Sequence, residues 1–423
     1  MKKFILYVEI AVAVTLPGLL IRLTGTHLPP LPTLLIFFSA ILGAGFMLSW
    51  GAEAAEQHVS RGLAVAVLAL ITVLPEYAVD IYFSYQAGVH PGSQYVGFAA
   101  ANMTGANRLL VGTGWPLIVL LFWWRSGKRG VQLYPQNSAE IVFLALSSVY
   151  AFVIVIKDRI DILDTLFLLA IFAAYLWRVG RMPAEDDDDE GEIEVGPAAV
   201  LETLPKKKQY AAIAALALFA AFVIILTAEP FAESLIAGSR LVGINEFFVI
   251  QWVAPFAGES PEIIIAILFT LALRPTIALG ALISDKINQW TLLVGMIPLA
   301  YSLGAGRIGS LPLDLRQQEE FFLTAAQSLF GLALLLCLRL SVKSAFALLA
   351  LFLVQFGLGF YFHNDESQTI TVLTYMAWLY LALAAGIFIW NYRCLIECCR
   401  TGLFVPVLSR NFKTTTKTTE DIS

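Results

Sequence analysis

Two glutamates stand three residues apart within an apolar stretch of the chain, "APFAGESPEIII", at residues 254–265. Glu259 and Glu262 lie on either side of Pro261, and a proline inside a helix removes a backbone donor and clashes with the preceding turn. If the flanking sequence crosses a membrane, each carboxylate costs about 2.5–3.5 kcal/mol on insertion scales. A carboxylate buried at that energetic cost needs a neighbouring positive charge, a bound proton or a water-filled cavity.

The same pair occurs earlier in the chain, as Pro75 and Glu76 in "TVLPE". Each pair predicts a break or kink in its helix, with the glutamate in the first turn beyond it. A Pro-Glu pair can also simply begin a helix, because proline is favoured at the first position and glutamate by the helix dipole. Its recurrence at matching positions of two similar segments favours the functional interpretation.

The acids near these pairs outnumber the bases. We place six ionisable side chains at mid-span: Glu76, Asp80, Glu259, Glu262, Asp285 and Lys286. Unpaired, they would cost on the order of 15–20 kcal/mol. Five acids against one lysine leave surplus negative charge, which protons or bound cations must neutralise.

Neutral oxygen donors accompany the acids. The candidates are Thr72, Asn102, Asn107 and Gln289. An all-oxygen set suits a hard cation such as Ca²⁺, which takes six to eight oxygen ligands, and disfavours a soft transition metal. The two asparagines lie in a small, polar segment that could equally serve only to pack helices.

The composition places these residues in a membrane. The chain has 423 residues, 58% of them hydrophobic and 14% charged, and its apolar runs repeatedly reach the length of about 20 residues that a crossing helix needs. We predict an all-α integral membrane protein with about twelve transmembrane helices. The predicted spans are 4–23, 31–56, 62–87, 95–123, 138–156, 161–179, 210–228, 246–272, 276–302, 320–339, 343–361 and 373–391.

The weak internal repeat predicts the topology. Segments 100–112 and 280–295 follow the two Pro-Glu pairs and both contain Leu-Leu-Val-Gly at their ends. Two copies of five helices each, an odd number, must enter the membrane from opposite sides, so the repeats are inverted, as in many secondary transporters. The predicted regions are an extra N-terminal helix (1–30), a first repeat (31–180), an acidic cytoplasmic linker (181–209), a second repeat (210–361), and an extra C-terminal helix with a cytoplasmic tail (362–423).

Loop charges predict the orientation. Lysine and arginine fall mainly on alternate loops, which places both termini in the cytoplasm of a protein of the cell membrane, with Arg307 and Arg316 against the trend. The run at 185–194 carries eight acids, and without them the net charge of −5 becomes +3. Such a run is typical of a solvated linker. The predicted partners are inorganic cations and the lipid bilayer, with no nucleic acid and no particular oligomeric state.

The four cysteines predict no disulfide framework. Cys337 is expected in the core, and Cys394, Cys398 and Cys399 just after the last span on the cytoplasmic side. Lipidation of that group is an alternative to an inert role.

The segments "GAEAAEQHVSR", "TVLPE", "AANMTGANRLLVG", "GINEFFVIQWVAPFAGESPE" and "GALISDKINQWTLLVG" together resemble the two alpha-repeats of the cation/calcium exchanger superfamily, the sodium/calcium exchanger membrane region. The resemblance covers roughly residues 35–360. It implies a ten-helix core in which the first and last predicted spans are additions.

The resemblance also implies ligands, because each family repeat carries a Gly-Thr-Ser-Leu-Pro-Glu and a Gly-Asn-x-x-Gly-Ser-Asn stretch that bind Na⁺ and Ca²⁺ in alternation. Several positions match these stretches: Thr72, Pro75, Glu76, Asn102, Gly105, Asn107, Pro261 and Glu262. Others depart from them: Val73, Ala106, Leu110, Gly258, Glu259, Ala281, Ser284, Asp285, Lys286 and Gln289. Lost oxygen ligands leave the identity and number of the ions open.

We therefore expect a secondary active antiporter, not an enzyme, that exchanges Ca²⁺ or another divalent cation for Na⁺ or H⁺ by alternating access, with no cofactor beyond the transported ions. Glu76 and Glu262 are the expected central metal ligands. The auxiliary acids or proton carriers are Asp80, Glu259 and Asp285, and the neutral donors are Thr72, Asn102, Asn107 and Gln289. The alternatives are a purely H⁺-coupled exchanger and a non-transporting membrane protein, such as an enzyme or a channel.

Lys286 has two interpretations. Glu259, Glu262 and Asp285 are the acids expected near it, and its ammonium would then act as a tethered cation in a place that Na⁺ fills in better-matching relatives. Alternatively, the side chain snorkels to the membrane interface.

Overall fold

The computed structural model describes residues 2–56, 73–182, 200–201 and 204–404. Thr72 and the acidic run at 185–194 lie outside these residues. Fifteen helices are described: α1 (Lys2–Thr24), α2 (Pro30–Glu56), α3 (Leu74–Val89), α4 (Tyr95–Leu109), α5 (Trp115–Ser126), α6 (Ser138–Lys157), α7 (Ile162–Val179), α8 (Lys206–Val242), α9 (Glu246–Leu271), α10 (Pro275–Asn288), α11 (Val294–Ala305), α12 (Leu315–Leu335), α13 (Val342–Tyr361), α14 (Glu366–Trp390) and α15 (Tyr392–Leu403).

The described helices form an integral membrane bundle. Nine helical segments within the described ranges are long and apolar enough to cross a membrane. Large apolar side chains such as Leu218 and Ile225 of α8 are 72% and 66% exposed, which suits contact with lipid tails. The predicted all-α membrane class is confirmed.

Two π-helical segments interrupt otherwise continuous helices. The first (Leu110–Gly114) joins α4 to α5, and the second (Gln289–Leu293) joins α10 to α11. A π turn is rare and often marks a functional position, because it displaces side chains and backbone groups from the regular α-helical register.

Four short strands tie the loops together in pairs. The strand β1 (Gly130–Gln132) pairs with β4 (Arg339–Ser341), and β2 (Arg159–Ile160) pairs with β3 (Leu311–Pro312), both antiparallel. Each ribbon therefore joins a loop of the first half of the chain to a loop of the second half.

The helix α9 corrects one expectation. Pro261 is predicted to break or kink its span, and the break is absent: α9 runs without interruption from Glu246 to Leu271 through Pro255 and Pro261. Prolines are tolerated in membrane helices where nearby groups satisfy the freed carbonyls. Pro261 frees the carbonyl of Ala257, and beside it the Ser260 hydroxyl donates to the carbonyl of Phe256. At Pro75, by contrast, α3 does begin at the proline, with Glu76 in its first turn.

The helix α8 is longer than the predicted span 210–228, which ends where polar residues begin. The helix continues to Val242 because its polar side chains find partners. Glu229 pairs with Arg22 of α1, and Glu233 accepts hydrogen bonds from two tyrosines, at 2.7 Å from Tyr82 and 2.6 Å from Tyr95.

The last helix, α15, is short and packs against α6. Arg178 of α7 fixes its end by donating to the carbonyls of Thr401 and Gly402. A Cβ at Gly402 would lie 2.6 Å from the carbonyl oxygen of Ser138, so only glycine allows this approach to the start of α6.

The cysteines correct a second expectation. Cys337, which follows α12, forms a disulfide with Cys394 of α15, and their Cα atoms are 5.3 Å apart. Cys398 and Cys399 are free thiols. The two cysteines are 57 residues apart in the sequence. The sequence could not indicate this bond, because the packing of α15 against the other helices is what brings them together.

This pairing predicts the number of reactive thiols. Denatured, unreduced protein should take up two maleimide groups, because disulfide sulfurs do not alkylate, and four after reduction. Intact-protein mass spectrometry measures both numbers. Cys394→Ser should give three adducts without reductant, since it frees Cys337. Four adducts on the unreduced wild-type protein would contradict the disulfide.

Candidate cation site

The predicted acids converge where α3, α9 and α10 meet. Glu76 is 3% exposed and Glu259 is fully buried. The amide of Gln289, the first residue of the second π segment, donates to Glu76 Oε2 at 3.3 Å and also to Glu259 Oε1. One amide group therefore bridges acids from both halves of the chain.

Glycine at position 258 makes this approach possible. A Cβ built on Gly258 would lie 2.7 Å from Cγ of Glu76, closer than real Cβ contacts allow. The family resemblance places a threonine at this position. The glycine found here instead leaves the space that Glu76 occupies against α9.

The acids are arranged in pairs. The carboxyl groups of Glu76 and Glu259 are close enough to interact directly, and so are those of Asp285 and Glu262. An ionised carboxylate can only accept hydrogen bonds, so a carboxyl–carboxyl bond exists only when one member carries a proton. A carboxyl–carboxyl bond would therefore hold one proton in each pair.

Asp80 forms a third polar contact beside the pairs. Its Oδ1 accepts from the amide of Asn102 at 2.8 Å, and both side chains are buried. Among the described residues, Asp80 Oδ2 and Asn102 Oδ1 have no hydrogen-bond partner. A carboxyl oxygen of Asp80 and the amide oxygen of Asn102 are thus buried near each other, and both are available as ligands for a cation.

Lys286 is fully buried and bonded to Asn107 rather than to an acid. Its Nζ donates to the carbonyl oxygen of Asn107 at 2.9 Å and to Oδ1 at 3.1 Å. The ammonium also lies 5.8 Å from the ring centroid of Trp290. Glu259 remains close enough to interact with it electrostatically. This placement differs from the snorkelling alternative, in which the ammonium would be exposed.

The predicted residues thus fall into three groups. The central group comprises Glu76, Glu259, Glu262, Asp285 and Gln289; beside it lie the pairs Asp80–Asn102 and Lys286–Asn107. Within the described ranges, no three or more histidine, cysteine, aspartate or glutamate side chains are arranged as a preformed metal site. The carboxyl groups face each other in pairs instead, so a cation would have to separate them.

Sequence reasoning missed a second buried charged group. Arg108 of α4 is 1% exposed and pairs with Glu320 of α12. Glu320 also pairs with Arg316 at 2.5 Å and accepts from Gln251 of α9 at 2.8 Å. A signal was present, because Arg108 lies in the middle of the predicted span 95–123.

Comparison with known proteins matches residues 30–180 and 212–361 to the family described as "Sodium/calcium exchanger protein". The structure of the H⁺/Ca²⁺ exchanger CAX is similar with a TM-score of 0.87 and 40% sequence identity, over 95% of this chain and 98% of that one. A comparison with curated proteins found no match.

Two more distant structures share the fold. The Ca²⁺/H⁺ antiporter protein YfkE gives a TM-score of 0.60 at 15% identity, over 85% of this chain and 99% of that one. The sodium-calcium exchanger NCX_Mj gives 0.50 at 17% identity, over 83% and 99%.

The family model covers both halves of the chain, and a relative with 40% identity is matched over nearly its whole length. The protein therefore belongs to the sodium/calcium exchanger protein family.

Proposed function

We propose that this protein is a secondary active antiporter that exchanges Ca²⁺ for protons across its membrane by alternating access. The observation that carries the proposal is the pairing of Glu76 with Glu259 and of Glu262 with Asp285. Membership of the exchanger family supports it, as does 40% identity to a protein named an H⁺/Ca²⁺ exchanger. Na⁺ is the alternative counter-ion.

The paired acids supply the exchange chemistry. Each pair can release its shared proton, and two lost protons leave the two extra negative charges that one Ca²⁺ neutralises. Ca²⁺ and protons then compete for the same carboxyl oxygens, so the protein cannot hold both fully. Transport of one against the other follows from this competition, provided that the site opens to one side at a time.

Glu76 and Glu262 are the proposed central ligands of Ca²⁺, one from each half of the chain. The neighbouring acids Asp80, Glu259 and Asp285 are auxiliary ligands or proton carriers. Neutral oxygens complete a set of six to eight ligands, and the proposed donors are Thr72, Asn102, Asn107 and Gln289. The cycle needs no cofactor beyond the transported ions.

We further propose the layout of twelve helices in which 31–180 and 210–361 are inverted repeats, flanked by an extra helix at each end and separated by the linker 181–209. The two π segments support it, since they begin 179 residues apart and follow the two asparagine-motif segments. The two ribbons also support it. In this layout β1 and β2 of the first repeat correspond to β3 and β4 of the second, so the ribbon β1–β4 has the ribbon β3–β2 as its counterpart.

The strand-entry residues fit the same layout. Asp158 and Leu338, 180 residues apart, precede β2 and β4, and both have a φ of 54°. The proposed orientation has both termini and the linker in the cytoplasm of a cell-membrane protein, as the alternating basic loops predict.

Lys286 is the proposed tethered cation. Asn107 and Lys286 occupy matching positions in the two repeats, and they hydrogen-bond to each other. A protonated Lys286 would place a positive charge beside Glu259. Such a charge would lower the number of mobile ions that the site takes up in each cycle.

The coupling ion is tested by flux. Purified protein in liposomes loaded with acidic buffer should take up Ca²⁺ from a more alkaline medium, because protons leaving the lumen drive the exchange. A Ca²⁺ indicator in the lumen measures the uptake, and empty liposomes and a dissipated pH gradient are the controls. Uptake that is driven by a Na⁺ gradient at equal pH, and not by a pH gradient, would identify Na⁺ rather than H⁺ as the counter-ion. No uptake under either gradient would refute antiport.

The paired glutamates give a second prediction. Glu76→Gln and Glu262→Gln should each lower Ca²⁺ flux by at least about 10–100-fold, the loss typical of even outer-shell partners of a metal. Each substitution keeps the shape of the neutral acid, so insertion and folding should persist, as gel filtration can verify. The matched control is Glu9→Gln, at an exposed acid of α1. Near-normal flux in either site variant contradicts the shared site.

Replacing the tethered cation gives a third prediction. Lys286→Asn removes the fixed charge and restores the residue type of the first repeat, so Na⁺ should now influence Ca²⁺ flux. Flux at constant pH across a series of Na⁺ concentrations measures this effect. Lys286→Arg, which keeps a positive charge, should respond to Na⁺ like the wild type. An unchanged Na⁺ response in folded Lys286→Asn protein argues against the tether.

A further inference from the structure

A second buried cluster of charges lies apart from the candidate cation site. It comprises Arg108 of α4 together with Arg316, Glu319 and Glu320 of α12, and we name it the Arg108 cluster. The cluster is not among the residues that the family motifs predict, and the proposed exchange chemistry does not use it.

Within the Arg108 cluster, Glu320 forms an ion pair through each of its carboxyl oxygens. It pairs with Arg108 through Oε2 and with Arg316 through Oε1, and Gln251 also donates to Oε2. Glu320 is fully buried, and two guanidinium groups and one amide hold its charge. Pairing and hydrogen bonding of this kind offset the cost of burying a carboxylate.

Glu319 is the opposite case. Its side chain is only 4% exposed, and neither carboxyl oxygen has a hydrogen-bond partner among the described residues. It nevertheless lies within electrostatic range of Glu320, Arg316 and Arg108. Burial without hydrogen bonds favours the neutral acid, whereas two nearby arginines favour the carboxylate.

The charge balance of the cluster makes both states of Glu319 accessible. With Glu319 ionised, two arginines balance two glutamates and the net charge is zero. With Glu319 protonated, the cluster carries one positive charge. Neither state leaves an isolated buried negative charge, which is the arrangement that would be most costly.

The other elements packed against α12 add few competing charges. They are α4, α6, α14, β4 and the first π segment. Their titratable groups besides Arg108 are Tyr95, Glu140, Tyr150, Lys157, Arg339, Glu366, Tyr375 and Tyr380. Lys157 and Tyr150 bond to Asp164, and Tyr95 bonds to Glu233. Tyr380 interacts electrostatically with Arg108, and its hydroxyl has no partner within the described part of the chain.

A cavity lies close to the Arg108 cluster. A cavity of about 540 Å³ is lined by Asp314, Arg316 and Gln317 at the start of α12 and by Glu246 and His363 from the neighbouring elements. Arg316 belongs both to the wall of this cavity and to the cluster, through its bond to Glu320. Arg316 stands three residues before Glu319, so the wall of the cavity and Glu319 are about one turn of α12 apart along the helix.

Arg108 connects the cluster to the cation site. It follows Asn107 in the chain, and Asn107 holds Lys286. Arg108 is also within electrostatic range of Lys286. A change of one charge in the Arg108 cluster is thus felt at the cation site through a low-dielectric interior, where screening is weak.

We propose that Glu319 is a second proton-binding site, filled from the cavity at the start of α12, whose protonation weakens Ca²⁺ binding at the cation site. The part concerning Ca²⁺ rests on the proposed function, whereas the proton site does not. Protonation adds one positive charge near the cation site and so disfavours a divalent cation there. By linkage, bound Ca²⁺ favours release of the proton from Glu319.

The proton site is tested by infrared difference spectroscopy of the purified protein during a pH titration without Ca²⁺. The wild type should show a carbonyl band of a protonated carboxyl group that disappears as pH rises and that is missing from Glu319→Gln. Glu319→Asp should retain a titrating band, and Glu9→Gln should match the wild type. If the wild type and Glu319→Gln give the same titrating bands, the proton site is overturned.

The coupling is tested by Ca²⁺ affinity at acidic and alkaline pH. Glu319→Gln mimics the permanently protonated acid, so at alkaline pH it should bind Ca²⁺ severalfold more weakly than the wild type, with the difference shrinking at acidic pH. Equal affinities at alkaline pH overturn the coupling. If the Glu319 band titrates but the wild type binds no Ca²⁺, the proton site stands and the proposed function fails.

Discussion

Acidic side chains buried between apolar helices must lose their charge or share it, and this constraint governs the central part of the structure. Glu76 and Glu259 are nearly inaccessible to solvent, and two such carboxylates cannot both be ionised at close range without a cation between them. The local architecture answers this constraint. Gln289 donates to both acids, and the second π segment places its amide there.

The two halves of the chain provide similar elements but different side chains. Both contain a Pro-Glu pair and a π segment, yet only the first pair begins a helix, at Pro75, while α9 continues through Pro261. Where the halves meet, Asn107 of one bonds to Lys286 of the other. A repeat that kept identical residues would place two amides or two ammonium groups together. The difference therefore converts a symmetric contact into a charged one.

The sequence predicted the acids because the cost of burying them is a local property of residue type and hydropathy. It did not predict their partners, because pairing Asp285 with Glu262 or Gln289 with Glu76 depends on how distant helices pack. Arg108 stands in the middle of a span, but its partner Glu320 is 212 residues away and reaches it only through the packing of α4 against α12.

The misjudged break at Pro261 has a different origin. Proline removes a backbone donor and clashes with the preceding turn, but helices inside a membrane bundle tolerate it where neighbouring groups satisfy the freed carbonyl. The disulfide between Cys337 and Cys394 depends on the position of α15, which no local pattern encodes. Thr72, a proposed neutral donor, lies outside the described residues and stays a prediction.

The central claim is that Ca²⁺ and protons compete for the same paired carboxyl groups. It is tested most directly by calorimetric titration of Ca²⁺ into the purified protein in buffers with different ionisation enthalpies, which counts the protons released for each ion bound. The wild type should release one proton for each carboxyl pair that Ca²⁺ separates. Glu76→Gln should release markedly fewer protons for each Ca²⁺ bound. Ca²⁺ binding of similar strength with no proton release would contradict it.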